Sequence, residues 1–418
     1  MVKERFTTPR FSFPLRRRDF PGKISLMGDK FHILCGGARF DVSSPGIEGI
    51  KASIYSAVKG GKKVKLLKIL LDNRCENNCL YCIFRKSSPV KRRWFSPEEL
   101  ARIFFNLYQR GEVEGIFLSS AVGLDPDKTQ ERMVRTVEIL REKFHFQGYV
   151  HLKILPHVHH DLWERAVYLA DRVSINLEAP SPKTLARIAP DKRWGNLSHT
   201  LEGLSKLSLR FKNPSGVTTQ FVVGPGGEKD REILSLTEKL YRIYKLRRVY
   251  YRSFEPLPFT PLEKFPPTPL LREIRLYQAD YLIRRYQFRA GELVNPEGYL
   301  PLHIDPKLYW AMRNPHLFPV EINQADYFTL MRVPGIGERG ARRIIQERRK
   351  ERIRDVGRLR ALRICVERAI PFILLDGRRV VREKDNHLLL WNLQEVRDVS
   401  YIRKNPFFSG ICGYNFPG

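Results

Sequence analysis

The sequence predicts a parallel α/β sheet curled as a partial (β/α)6 barrel, followed by an all-α domain. Three observations predict it. Between Val64 and Phe254, short apolar runs alternate with helix-length amphipathic segments, the pattern of repeated βαβ units. Directly after the first apolar run comes Asp72-Asn73-Arg74-Cys75-Glu76-Asn77-Asn78-Cys79-Leu80-Tyr81-Cys82, with three thiols spaced C-x-x-x-C-x-x-C. Much later, Val333-Pro334-Gly335-Ile336-Gly337 makes a tight turn between two helix-length segments, the second of them strongly basic.

Taken in order, the chain begins with a basic N-terminal extension, residues 1–60. The Arg-rich start is interrupted by Pro9 and Pro14, followed by Pro21, and lacks an apolar core, so it is not read as a secretory signal; Lys3 to Arg18, interleaved with Phe6, Phe11 and Phe13, is expected to be an arm. Phe31–Leu34 and Ala38–Val42 read as short strands about a Gly36-Gly37 turn. The barrel is expected over 61–290. Its first strand is 64–71, and Ser96-Pro97-Glu98-Glu99 opens the next helix with an N-cap, a proline at the first position and a capping box. Strands follow at Gly115–Ser119, Tyr149–Ile154, Val173–Glu178, Thr218–Val223 and Arg248–Phe254. Helices are read at Lys128–Phe144, His160–Leu169, Ser181–Ile188 and Lys229–Tyr244, with a longer segment around Trp194–Phe211. Right-handed crossovers curl six such strands and place the site at their C-terminal ends. Pro256–Pro269 breaks the pattern, and an amphipathic helix near Leu271–Tyr286 is a lid or buttress. A connector (291–318), a second unit (319–377) and a tail (378–418) complete the chain.

Lys and Arg exceed Asp and Glu enough to give a formal net charge of +29. That surplus implies a polyanionic partner. Nucleic acid is favoured over membrane, because no segment is apolar enough to span a bilayer. Cys35, Cys365 and Cys412 are scattered without a disulfide pattern, which fits a reducing cytoplasm. For the other three thiols, a structural zinc site would need four ligands, usually as paired C-x-x-C units, and no second pair exists. Three thiolates suit three irons of a cubane, leaving the fourth iron open to a non-protein ligand.

At this loop, with the aromatic Tyr81 just before the third cysteine, the sequence resembles the radical S-adenosylmethionine (radical SAM) superfamily. The resemblance implies a [4Fe–4S] cluster on Cys75, Cys79 and Cys82, with S-adenosylmethionine on the open iron. An electron from a donor such as a ferredoxin or flavodoxin would cleave it to methionine and a 5′-deoxyadenosyl radical. It also implies cofactor contacts, beginning with Tyr81. Ser119-Ser120-Ala121 stands where the superfamily often has Gly-Gly-Glu, a departure in which Ser119 and Ser120 offer hydroxyls to the SAM carboxylate. Asn176 and Glu178 fall where a polar side chain holds the ribose, Glu178 being alternatively a helix-capping acid. Gly224, in the run Gln220 to Glu228, falls where the superfamily supports the adenine. His151 and Lys153 alternate as an inner face would, toward the substrate. After the last strand, Arg252 meets a phosphate or the SAM carboxylate, or pairs with Glu255; Tyr250 lies beside it.

The second unit has a helix-hairpin-helix pattern: Asn323 to Arg332, the glycine turn, then Glu338 to Arg349. Amides of Gly335, Ile336 and Gly337 and the second helix's dipole are expected to take a phosphate, with Arg339, Arg342, Arg343, Arg348 and Arg349 adding salt-dependent attraction. Arg352–Ile373 resembles the second half of a tandem, with Leu362-Arg363-Ile364-Cys365 where its hairpin would lie and no glycine among them, a half expected to pack and not to bind. An endonuclease III-type glycosylase is excluded, since Glu338-Arg339 follows the hairpin where a catalytic lysine would stand and no four-cysteine cluster comes after it. From about Lys65 to Gly377 the chain resembles the DNA modification/repair radical SAM proteins with a C-terminal helix-hairpin-helix, notably in Phe117–Ser120, Thr218–Gly224 and Pro371–Gly377. A DNA-directed radical enzyme is therefore expected. An RNA-modifying enzyme and a non-catalytic iron–sulfur nucleic-acid binder, whose mark would be a fourth cysteine ligand, are the alternatives.

Overall fold

The computed structural model describes residues 24–38, 54–59 and 62–380. The basic arm, nearly all of the expected strand Ala38–Val42 and residues 381–418 lie outside them. The other early strand, Phe31–Leu34, is corrected to helix: α1 runs Ile24–Ala38. Leu34, Cys35, Gly37 and Ala38 are buried, spaced as one helical face and not as alternate strand positions. Gly37 is no turn but a close approach, since a Cβ there would stand 2.6 Å from the Phe84 ring and 2.9 Å from Leu70. Lys30 ties the helix down through Glu99 at 2.6 Å and the Phe95 ring at 4.6 Å. Gly37→Val is expected to cost about 1–3 kcal/mol by overpacking, measured by denaturant unfolding.

Strand β1 (Ile54–Lys59) adds antiparallel to β2 (Lys62–Leu70), an extra edge strand that the sequence pattern did not announce. Helix α2 (Pro97–Gln109) starts as its capping box dictates, with both reciprocal Ser96 and Glu99 bonds formed. There follow β3 (Gly115–Ser119), α3 (Pro126–Glu138) with a π-helical end at Ile139–Lys143, β4 (Tyr149–Lys153), α4 (His160–Leu169), β5 (Arg172–Ser174), α5 (Pro182–Ile188), α6 (Trp194–Arg210), β6 (Val217–Val223), α7 (Asp230–Arg242) and β7 (Arg248–Ser253). Strands β2 to β7 are parallel and hydrogen-bonded in chain order, forming a curled six-stranded half-barrel as expected. The stretch left as a longer segment is α6, which buries Leu197, Leu201 and Leu204 at helical spacing.

Helix α8 (Leu270–Tyr286) is not amphipathic. Residues all round it are buried, including Glu273, Arg275 and Asp280, so it is a buttress and not a lid. Its buried charges are satisfied: Glu273 accepts from the Ser253 amide at 2.6 Å, and Arg275 donates to the Leu302 carbonyl at 2.8 Å. Beyond it come α9 (Ala290–Leu293), α10 (Pro306–Arg313), β8 (Val320–Glu321), α11 (Tyr327–Arg332), α12 (Glu338–Arg348), α13 (Val356–Ala361), α14 (Val366–Ala369), β9 (Ile373–Leu375) and β10 (Arg378–Arg379). The C-terminal helices are therefore closed by a small sheet ordered β10-β9-β8, with the apolar Ile373–Leu375 run as its centre.

Candidate active site

The cysteine loop leaves β2 at the C-terminal end of the sheet and has no regular structure of its own, so its shape rests on hydrogen bonds. The Glu76 amide donates to Val122 O and the Leu80 amide to Ile188 O, each at 2.8 Å, joining the loop to the ends of β3 and α5. Asp72, buried, accepts from Arg74 at 2.6 Å and Arg132 at 3.2 Å, while Arg74 lies over the Trp94 ring at 3.9 Å. Arg92 spans the loop, its guanidinium donating to the carbonyls of Asn73 (2.7 Å), Phe84 (2.9 Å), Arg85 (2.7 Å) and Ser88 (3.0 Å).

Cys75, Cys79 and Cys82 open on a cavity of about 160 Å³. Burial pushes the Cys79 thiol up to about 11 and the Cys82 thiol up to about 12, each also raised by its neighbouring thiols. A metal centre that took these thiols as ligands would release their protons. Glu178 does not cap α5, whose N-cap is Ser181. Its carboxylate lies in the cavity wall, paired with Lys192 at 2.7 Å and hydrogen-bonded to the Tyr81 hydroxyl. Burial pulls Lys192 down, but the Glu178 carboxylate together with the nearby Cys79 and Cys75 sulfurs more than offsets it and holds the ammonium charged. Lys192→Met leaves a buried carboxylate without its counter-charge, at a cost of roughly 3–5 kcal/mol; the double change with Glu178→Gln is expected to recover much of it in denaturant unfolding.

The wall brings together many of the expected residues. Tyr81, Ser120, Lys153, Asn176, Glu178, Arg252 and Glu255 line it with the three cysteines. Ser119 and Gly224 do not. Ser119 is fully buried, with its carbonyl accepting from Leu71, and the Gly224 amide is taken by the Glu228 carboxylate. His151 and Tyr250 lie below the cavity: His151 bonds Ser174 Oγ at 2.9 Å, and Tyr250 accepts from Arg172 at 3.3 Å. Arg252 pairs with Glu255 at 3.1 Å. Sequence reasoning missed Lys192, Asn77 and Gln220. Gln220 carried a readable signal, since it precedes Val222 on the inner face of the fifth parallel strand; Lys192 sits in a loop with no periodicity to mark it.

The hairpin departs from expectation. Gly335 has the left-handed φ of +82° that the turn requires, but the Glu338 amide donates to the Tyr286 hydroxyl of α8, and the Glu338 carboxylate holds Arg285 with two 2.6 Å bonds. Ile336 is buried, its amide bonded to Val333 and its carbonyl to Lys307 Nζ at 2.6 Å. The N-terminus of α12 thus faces the barrel's buttress, so its dipole is not presented outward as expected. Arg343 and Arg348 are also turned inward, donating to Leu362 and to Ile322 and Ala325 respectively. Arg339, Arg342 and Arg349 stay exposed.

The donor set fits an iron–sulfur centre: three thiols open on one cavity, and cubane thiolates attach to separate irons. Two cavity-wall residues also carry buried polar atoms with no partner, Asn77 Nδ2 and Ser253 Oγ, which suits a polar ligand. The fold and this loop define a partial-barrel iron–sulfur protein. Residues 69–240 match the Radical SAM superfamily model, and the barrel is a domain of that superfamily, whose cofactors are a [4Fe–4S] cluster and S-adenosylmethionine. Among solved structures, the FeFe-hydrogenase maturase HydG from Carboxydothermus hydrogenoformans is similar at 16% identity over 51% of this chain and 50% of that one, with a TM-score of 0.43. Methylornithine synthase (PylB) is similar at 17% identity over 54% and 63%, TM-score 0.42. The radical S-adenosylmethionine methyltransferase TsrM from Kitasatospora setae, with cobalamin and [4Fe–4S] cluster bound, follows at 10% identity over 46% and 38%, TM-score 0.37. The chain spans less than two thirds of each. No curated protein matches the sequence.

Proposed function

We propose that this chain is a radical SAM enzyme that modifies or repairs nucleic acid, DNA in preference to RNA, reduced by a ferredoxin- or flavodoxin-type donor in the cytoplasm. The convergence of Cys75, Cys79 and Cys82 on one cavity at the C-terminal end of the parallel sheet carries this reading. The three cysteines would hold the cluster, and Asn176, Gln220 and Ser120 offer polar groups to S-adenosylmethionine. When bound, these cofactors supply a 5′-deoxyadenosyl radical that abstracts a substrate hydrogen. The chain's own part is positioning and shielding. Tyr81, Glu178 and Lys192 fix the loop against the far wall, and Gly37 and Phe84 close its side.

The net charge of +29 and the exposed Arg339, Arg342 and Arg349 support a nucleic-acid substrate. With the N-terminus of α12 turned inward, the phosphate backbone would lie on the outer, arginine-bearing face of that helix. Among the described residues no helix is long and apolar enough to cross a membrane. The test is anaerobic reconstitution followed by quantification of 5′-deoxyadenosine with duplex DNA, with RNA and with neither. Release that rises with DNA and vanishes in Cys79→Ala is expected. A rise with RNA alone would move the substrate to RNA, and no release from a protein with an intact cluster would leave a binding protein.

A further inference from the structure

Glu178 and Lys192, a charged pair of the cavity wall, stand outside the regular strands and helices, yet the chain fixes both. Lys192 belongs to the link between α5 and α6, which is clamped to the cysteine loop on either side of Cys79. The Leu80 amide donates to the Ile188 carbonyl at 2.8 Å, and the Asn78 amide donates to the Asp191 carboxylate at 2.5 Å. Glu178 takes a left-handed φ of +63°, a conformation that is costly for a residue with a side chain and persists only where neighbours impose it. Here β6 imposes it: the Glu178 amide donates to the Gln220 carbonyl at 3.0 Å, and the Glu178 carbonyl accepts from the Val222 amide at 2.8 Å. The carboxylate then holds the Lys192 ammonium at 2.7 Å and the hydroxyl of Tyr81, the neighbour of Cys82. Lys192 is thereby chained to the loop at both Cys79 and Cys82.

The pair is not neutral toward the thiols. The Lys192 and Glu178 side chains are only 12% and 5% exposed, so water screens neither well. At Cys79 the field of the ammonium outweighs that of the carboxylate, and Cys82 also lies in the ammonium's field. An electron added to a centre held by three thiolates puts more negative charge where it is already concentrated, and cluster potentials follow the charge around them. A buried cation at this point favours the reduced form.

We propose that Lys192, anchored by Glu178, sets the potential at which the centre held by Cys75, Cys79 and Cys82 accepts its electron; this rests on the cluster reading above and is independent of the substrate. Lys192 acts through its charge. Glu178 keeps the ammonium in place and offsets part of its field.

The test is a redox titration of the reconstituted full-length protein without S-adenosylmethionine, followed by electron paramagnetic resonance. Glu178→Gln keeps the ammonium and removes its offset, so the midpoint potential is expected to rise. Lys192→Met combined with Glu178→Gln, the pairing expected to recover stability, removes both charges, and its potential is expected to fall below wild type. These two proteins differ only in the ammonium and are expected to stand at least about tenfold apart in the reduction equilibrium, about 59 mV for one electron. Water entering a loosened site would move both variants the same way, so shifts of one sign overturn the proposal, as do unshifted potentials. Iron and sulfide per chain are measured first. A variant that fails to load shows that the pair builds the site instead of tuning it, and overturns the proposal too. The two readings separate cleanly. Cluster uptake that survives loss of the three cysteines overturns the cluster reading, and this inference with it. Loaded variants without opposite shifts overturn the tuning role and leave the cluster reading standing.

Discussion

Arg92→Met is expected to strip iron from the protein while leaving the barrel folded. One guanidinium reaches carbonyls on both sides of the three cysteines, Asn73 before them and Phe84, Arg85 and Ser88 after them. Bonds from a charged donor contribute about 1.5 kcal/mol or more each, so the four together hold the loop by something on the order of 5 kcal/mol. Methionine fills the volume and donates nothing, leaving the loop free to spread its thiols. The barrel strands do not depend on Arg92, so circular dichroism should be little changed while iron and sulfide per chain fall to a small fraction of wild type. Arg92→Lys should not restore them, since one ammonium cannot span four acceptors fixed in a fan. Full iron loading in Arg92→Met would show that the cysteines order themselves.

The second large effect lies behind the barrel. Asp280, fully buried on α8, accepts from Arg284 at 2.9 Å, from the Tyr251 hydroxyl at 3.3 Å and from the Tyr241 hydroxyl, and faces Arg248 of β7 at 3.7 Å. Burial pulls the Arg248 guanidinium down, and Asp280 holds it charged. Asp280→Ala therefore leaves a buried cation without its counter-charge and the Tyr241 hydroxyl without its acceptor, while the Tyr251 hydroxyl keeps Thr237, a loss of about 3–5 kcal/mol. Pairing Asp280→Leu with Arg248→Met should be far milder, because an apolar pair of similar volume removes both desolvation penalties. Denaturant unfolding of the two proteins checks this. Equal losses would mean that packing, not the charge clamp, joins α8 to the sheet.

Chemistry written in local spacing was legible in the sequence. The cysteine loop, the Ser96 capping box and the parallel strands each depend on residues close together in the chain. Tyr81, Asn176 and Glu178 reached the cavity because strand ends are where such sites lie. What escaped depends on partners distant in sequence. Nothing local marks Arg92 as the loop's staple or Lys192 as the counter-charge of Glu178. Phe31–Leu34 is too short an apolar run to separate strand from helix without knowing what covers it. Helix α8 was read as amphipathic because its polar residues look solvent-bound until Arg248, Ser253 and Leu302 supply their partners. The glycine hairpin was legible as a turn, but its occlusion was not, since Arg285 and Tyr286 belong to a different helix.

The central claim is that three thiols hold a cluster with one iron open to S-adenosylmethionine. The most direct measurement is the electron paramagnetic resonance spectrum of the dithionite-reduced, reconstituted protein before and after S-adenosylmethionine is added. The account predicts a [4Fe–4S]⁺ signal whose shape changes on addition and which is absent from Cys75→Ala, Cys79→Ala and Cys82→Ala. A signal unmoved by S-adenosylmethionine, or a full cluster retained after any one of these cysteines is removed, would contradict it.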